Sequence, residues 1–252
     1  VGVELKGAVA LVTGASSGIG AATAVELAAR GAAVALVARR ADRLKAVAER
    51  ITQAGGAALP VVADVTDADQ VSVAVEQAVR EWGRLDILVN NAGLSRPEPM
   101  TEAAVSNFDL VVRVNLLGSL YCAHAALPHL LRAAETGPRR LADLVNVSSL
   151  SGRVHRPHSA VYTATKHAVN AYSECLRQEV AGRNVRVSVV EPAAVDTEFF
   201  PTDLLKRRQS RWGSEPLRAE DVADTIGFMV TRPAGVAISE LLMRPARHGG
   251  VQ

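Results

Sequence analysis

Thr13-Gly14-Ala15-Ser16-Ser17-Gly18-Ile19-Gly20 is the stretch that decides the fold. It follows a short apolar run at residues 8–13 and precedes a helical pattern over 21–30, which stops at Gly31, a residue suited to a helix C-terminus. Three glycines in one strand-to-helix turn let the backbone bend sharply and approach a pyrophosphate closely. The free N–H groups and positive end of the following helix would then face the phosphates. The spacing is G-x-x-x-G-x-G rather than G-x-G-x-x-G, and the absence of Lys-Ser/Thr after Gly20 excludes a P-loop.

The same residues satisfy a second motif. Gly14-Ala15-Ser16-Ser17-Gly18 reads as G-x-S-x-G, the nucleophile elbow of serine hydrolases, with Ser16 as nucleophile. That chemistry needs an acid and then a histidine downstream, and an earlier β–α loop to furnish an oxyanion hole. The turn here lies on the first strand, where no such loop precedes it. A tight turn without a ligand is the plain structural alternative.

Outward from this turn, residues 34–38, 59–63, 86–90, 144–148 and 185–191 read as strands, with a short last strand at 240–244. Residues 43–53, 69–82, 108–131, 162–179 and 219–230 read as helices. This alternation predicts an α/β chain: a Rossmann-like, doubly wound parallel sheet of about seven strands flanked by helices, in a single domain over 1–252. The apolar stretch 108–131 must be buried on more than one side, against the sheet or a second subunit. Residues 133–140, polar and containing Gly and Pro, predict a surface loop; 198–216, punctuated by prolines, predict a mobile substrate lid.

The 252 residues carry 28 basic against 26 acidic side chains, a net charge of +2 that leaves no nucleic-acid footprint. With 48% hydrophobic and 21% charged residues, the chain can bury a large core behind a polar surface. Apolar runs such as 9–12 and 87–89 are far shorter than the ~20 residues that span a bilayer, so no membrane partner is expected. Val1-Gly2-Val3-Glu4-Leu5-Lys6 lacks the basic start and apolar stretch of a secretory signal, which makes the cytoplasm the expected location. Cys122 and Cys175 lack metal-like spacing, and His124, His129, His155, His158, His167 and His248 form no ligand-like grouping, so no metal is expected.

In doubly wound folds the end of strand two meets the adenosine ribose, where an acidic residue binds the 2′-hydroxyl of NAD. This chain has Ala38-Arg39-Arg40 there. Two guanidiniums without a carboxylate would clamp a 2′-phosphate bidentately, so NADP(H) is the expected cofactor; a solvated loop end is the plain alternative. Further on, Tyr162 and Lys166 stand four residues apart at the start of a helix, on one face. A free tyrosine titrates near ~10, and a neighbouring cation lowers that value by stabilising the phenolate, which suits an acid/base pair. Alone, Y-x-x-x-K also fits a solvated helix face.

Thr13-Gly14-x-x-x-Gly18-x-Gly20, Asn90-Asn91-Ala92-Gly93, Asn115, Ser149 in Asn146-Val147-Ser148-Ser149, and Tyr162-x-x-x-Lys166 together resemble the short-chain dehydrogenase/reductase family in order and spacing, over nearly the whole chain. The resemblance implies that Tyr162 exchanges a proton with a carbonyl or alcohol oxygen, and that Ser149 hydrogen-bonds the same oxygen. Lys166 would hold the nicotinamide ribose and act on Tyr162, and Asn115 would keep a proton-replenishing water chain. Ser148 competes for the serine role, but Ser149 has the family's usual separation from the tyrosine. For the cofactor, the resemblance implies Gly14, Ser16, Ser17, Gly18, Ile19 and Gly20 at the phosphates and Arg39 and Arg40 at the adenosine ribose. It adds Asp64 and Val65 at the adenine, Asn91, Ala92 and Gly93 supporting the adenosine, and Pro192 and Thr197 on the nicotinamide side, next to Tyr162 and Lys166. Pro192-Ala193 replaces the family's usual Pro-Gly.

Glu191-Pro192-Ala193-Ala194-Val195-Asp196-Thr197-Glu198-Phe199 and Glu240-Leu241-Leu242-Met243-Arg244-Pro245 look like a bacterial NADP-dependent branch with 3-hydroxy-acid dehydrogenases and the clavulanate-forming aldehyde reductase. The expected partner is a small-molecule carbonyl or alcohol. Lys206, Arg207, Arg208 and Arg211 in the expected lid would either attract an anionic substrate or form a solvated face, and His155, Arg156 and His158 lie where the family lines its substrate pocket. The family's subunits usually pair through two long helices, here 108–131 and 162–179, so a homodimer or homotetramer is expected. A catalytically silent dinucleotide-binding protein is the remaining alternative, against which Asn115, Ser149, Tyr162 and Lys166 all argue.

Overall fold

The first strand, β1 (Val9–Thr13), has every residue buried. Val9 and Leu11 enter one core cluster and Ala10 and Val12 another, because successive side chains point to opposite faces of a sheet that is covered on both. A computed structural model of the chain describes residues 4–199 and 215–246. Lys206, Arg207, Arg208, Arg211 and His248 lie outside the described residues, as does most of the stretch expected to be a lid.

After β1 come α1 (Gly18–Ala29), β2 (Ala33–Ala38), α2 (Ala41–Gln53), β3 (Ala57–Val62), α3 (Ala68–Trp82) and β4 (Ile87–Asn90). The second half holds α4 (Val105–Val112), a π segment (Arg113–Leu117), α5 (Gly118–Thr136), β5 (Ala142–Val147) and α6 (Ala160–Glu179). It continues with β6 (Val185–Pro192), β7 (Val195–Asp196), β8 (Leu217–Arg218), α7 (Ala219–Val230) and β9 (Glu240–Met243). The seven-stranded sheet runs β3-β2-β1-β4-β5-β6-β9, parallel throughout, so the Rossmann-like doubly wound architecture stands as expected. The order reverses between β1 and β4, which opens a crevice at the strands' C-terminal ends.

Three details differ from the sequence expectations. Helix α1 begins at Gly18, inside the glycine turn, so Gly18, Ile19 and Gly20 are its first turn. Residues Ala133 to Thr136 are not loop: α5 continues to Thr136 with Ala133 and Ala134 buried, and the polar loop starts only at Gly137-Pro138, where proline cannot extend the helix. The 108–131 pattern belongs to a longer continuous helical run, Val105–Thr136, which by length and apolar character alone could cross a membrane. Short apolar runs missed this, since the segment is apolar by average rather than by uninterrupted stretch. Its buried residues Cys122, Ala126 and Leu130 join the core cluster shared with α3 and the sheet. The short pair β7–β8 joins the chain before and after the expected lid, Val195 to Leu217 and Asp196 to Arg218.

Candidate active site

The phosphate turn is shaped by the loop that follows β4. Thr13 Oγ1 accepts hydrogen bonds from the backbone N–H of Asn91 (3.0 Å) and of Ala92 (3.0 Å), and Asn91 Nδ2 donates to the Thr13 carbonyl at 2.9 Å. Asn91 fills the space under the turn so tightly that glycine is required above it. A Cβ on Gly20 would lie 2.4 Å from both Asn91 Nδ2 and the Gly14 carbonyl oxygen, and Gly14 itself has φ +67°. The first turn of α1 carries no acidic side chain and its N-cap Ser17 makes no capping bond, so the helix N-terminus keeps its capacity for an anion.

Arginines close the end of the site where the sequence places the adenosine ribose. Arg40 donates from Nε (3.1 Å) and Nη2 (2.9 Å) to Ser16 Oγ, and from Nη2 to Ser17 Oγ at 2.7 Å. Arg39 lies 3.6 Å from Asp64, whose other oxygen accepts from the Thr66 N–H and hydroxyl. The bonds to Ser16 Oγ come from a guanidinium, a group that cannot act as a base, so among the described residues no hydrolase triad forms around this serine.

At the other end, β5, α6 and the π segment converge. Ser149 caps a 3₁₀ turn (Leu150–Gly152), its Oγ accepting from Ser151 N–H at 3.1 Å. Ser148 is buried and its hydroxyl donates to the Lys166 carbonyl at 3.3 Å, which ties it to α6 and leaves Ser149 as the serine better placed for a ligand. Tyr162 and Lys166 sit on the buried face of α6. The Lys166 ammonium is 5.8 Å from the Tyr162 ring centroid and donates to the Val147 carbonyl at 2.9 Å. Burial pulls the Lys166 pKa down from 10.5 to about 8. Phe199 approaches the Tyr162 ring with centroids 6.0 Å apart.

Asn115 lies within the π segment, a departure from regular α-helix that often marks functional sites. Its Oδ1 accepts from Leu94 N–H at 2.8 Å; its Nδ2 donates to the Leu94 carbonyl at 2.9 Å and to Thr165 Oγ1 at 3.2 Å. The side chain therefore pins the loop after β4 to α6, the helix that carries Tyr162 and Lys166.

One cavity of about 400 Å³ joins both ends. Its lining includes Gly14, Ser16, Ser17, Gly18, Ile19, Arg39, Arg40, Asp64, Val65 and Asn91–Gly93 at one side, and Ser149, Tyr162, Lys166, Pro192 and Thr197 at the other. Gly20 and Asn115 are absent from that lining. Ala193 is not among the residues of positive φ and donates its N–H to the Met243 carbonyl at 2.9 Å, so alanine fits where the family has glycine. Sequence reasoning gave no site role to Thr13, Thr165, Arg43 or Glu198, each of which makes a contact with a distant segment. Thr13 alone had a local signal, as the residue that opens the glycine turn.

Residues 8–207 match the family described as short chain dehydrogenase. An uncharacterized oxidoreductase of Methylorubrum extorquens is 40% identical over 247 residues, covering 95% of this chain and 96% of its own. Among solved structures, a short chain dehydrogenase from Burkholderia cenocepacia in complex with NADP is 31% identical with a TM-score of 0.87, covering 98% of this chain and all of its own. The 3-ketoacyl-(acyl-carrier-protein) reductase from Brucella melitensis, complexed with NADH, is 32% identical with a TM-score of 0.88 and covers 97% of this chain and 99% of its own. Similarity over nearly the full length, together with the geometry above, shows that the chain is an oxidoreductase belonging to the short-chain dehydrogenase family.

Proposed function

We propose that this protein transfers a hydride between NADP(H) and a carbonyl or alcohol carbon, working as an NADPH-dependent reductase of small aldehydes or ketones. One observation carries the reading: a single cavity runs from the phosphate turn and the Arg39–Arg40 pair to Ser149, Tyr162 and Lys166. The residues present fit a nicotinamide dinucleotide, with the open N-terminus of α1 for phosphates and Arg40 beside it for a 2′-phosphate. When bound, NADPH supplies the hydride. Solved relatives carry NADP in one case and NADH in another, and the two arginines after β2 favour NADP here.

The side chains supply the rest of the chemistry. In reduction the Tyr162 phenol donates its proton to the carbonyl oxygen, and in oxidation it recovers the proton from the alcohol. Ser149 donates a hydrogen bond to the same oxygen and stabilises its developing charge. Lys166, mostly protonated at neutral pH, favours the phenolate left on Tyr162. Asn115 is a positioning residue, because both ends of its amide are committed to Leu94 and Thr165. Two copies would pair through the outer faces of α5 and α6, which sedimentation tests.

The decisive assay follows NADPH absorbance with a panel of aldehydes, ketones and keto acids, with NADH and an ester in parallel. NADPH oxidation is expected. Ester cleavage without it, or cofactor binding without turnover on any carbonyl, would overturn the reading, and faster turnover with NADH would overturn the cofactor choice.

A further inference from the structure

We propose that Glu198 is an internal counter-anion of the cofactor cradle, competing with the 2′-phosphate of NADP(H) for Arg40 and so setting how strongly the site prefers NADP(H) over NAD(H). The proposal rests on the NADP reading above. Glu198 Oε2 accepts from Arg40 Nη1 at 3.1 Å and Oε1 from Arg43 Nη1 at 2.5 Å, so each carboxylate oxygen engages a different guanidinium. The same Arg40 guanidinium lies on the hydroxyls of Ser16 and Ser17. Arg40 thus donates at once to Ser16, Ser17 and Glu198, and Glu198 is the anion of the group.

The fold brings Glu198 there. It directly follows Thr197, whose methyl carbon lies 3.0 Å from where a Cβ on Gly18 would stand, so this stretch of chain passes close over the phosphate turn and reaches α2. Glu198 lines the main cavity and, like Ser16, Ser17, Gly18 and Thr197, also a second one, which holds Arg43, Arg50 and Arg218. The two guanidiniums, Arg43 foremost, hold the Glu198 carboxyl below the usual carboxylate range. All three side chains are roughly half exposed, so the bridge is screened by solvent and yields to a stronger anion.

The consequence is a cradle that neutralises itself. With NADPH, a phosphate of higher charge displaces the carboxylate from Arg40 and must overcome that attraction and the repulsion of the displaced acid. With NADH, which brings no 2′-phosphate, the Glu198 bridge persists and no unpaired guanidinium is left at the ribose.

The test measures binding of NADPH, NADH, 2′,5′-ADP and ADP to the wild type, Glu198→Gln and Arg40→Gln by calorimetric titration, with thermal melts to confirm folding. Glu198→Gln should tighten NADPH and 2′,5′-ADP by roughly three- to tenfold while changing NADH and ADP by less than about twofold. Unchanged or weaker NADPH binding in Glu198→Gln, or equal tightening of all four ligands, overturns the proposal. If Arg40→Gln still lowers the NADPH-to-NADH preference in that event, the NADP reading stands without it. If Arg40→Gln leaves that preference unaltered, the cofactor reading fails and takes the proposal with it.

Discussion

Replacing Lys166 with methionine should stabilise the protein at neutral pH while abolishing turnover. Lys166 is 5% exposed, and burial lowers its pKa from 10.5 to about 8. That difference, about 2.5 pH units at 1.36 kcal/mol each, puts the cost of keeping the charge in the folded state at about 3 kcal/mol at pH 7. Methionine matches the aliphatic stem but loses the 2.9 Å bond to the Val147 carbonyl. That loss is worth about 1 kcal/mol, which leaves a net gain near 2 kcal/mol. Between the folded pKa of about 8 and the unfolded value of 10.5 the unfolded chain binds more protons than the folded one, so the wild type gains stability as pH rises through that window. The advantage of Lys166→Met should therefore be full below pH 8, shrink across the window and reverse above it. Urea denaturation of both proteins at equal concentration, followed by circular dichroism at pH 7 and pH 10, measures the difference. A variant no more stable at pH 7, or a difference that ignores pH, would refute the idea that burial of the ammonium is costly.

Three further outcomes follow from the geometry. Tyr162→Phe should lower kcat by about 10²- to 10⁴-fold while leaving NADPH affinity largely intact, because only the acid/base hydroxyl is removed and the ring stays; stopped-flow turnover and cofactor titration separate the two, and a fully active variant excludes Tyr162 as the acid/base. Gly20→Ala places a methyl 2.4 Å from Asn91 Nδ2 and the Gly14 carbonyl, so cofactor binding should be lost with a lowered melting temperature, whereas retention of both would show that the turn can relax. At the opposite end of the sheet, buried Asp143 pairs with Arg139 and Arg186, both at 2.7 Å, and Asp143→Ala should cost about 3–5 kcal/mol in urea denaturation because two guanidiniums lose their shared anion.

Much of the fold was legible because its signals are local. The glycine turn, the alternation of β-branched runs with helical periodicity, and the helix stop at Gly31 each depend on residues adjacent in the chain. Boundaries erred where composition and periodicity disagreed. Ala133 and Ala134 looked like part of a polar loop, yet they fall on the buried face of α5 and continue its helix. The two-residue strands β7 and β8 have no periodicity to read and exist only because they pair with each other.

The chain alone determined the order of the chemical groups: a phosphate turn, a pair of arginines where an acid would mark NAD, and a serine, tyrosine and lysine in helical and strand register. Tertiary structure decided how those groups are used. Ser148 and Ser149 are indistinguishable as neighbours in sequence and both line the cavity, but packing commits the Ser148 hydroxyl to the Lys166 carbonyl. Asn115 owes its place to Leu94 and Thr165, and Glu198 meets Arg40 across 158 positions. Short-range periodicity records which face of its own element a residue occupies. It carries no information on which distant side chain stands opposite, because that is set by the crossing of β4, β5 and β6 with the helices packed against them.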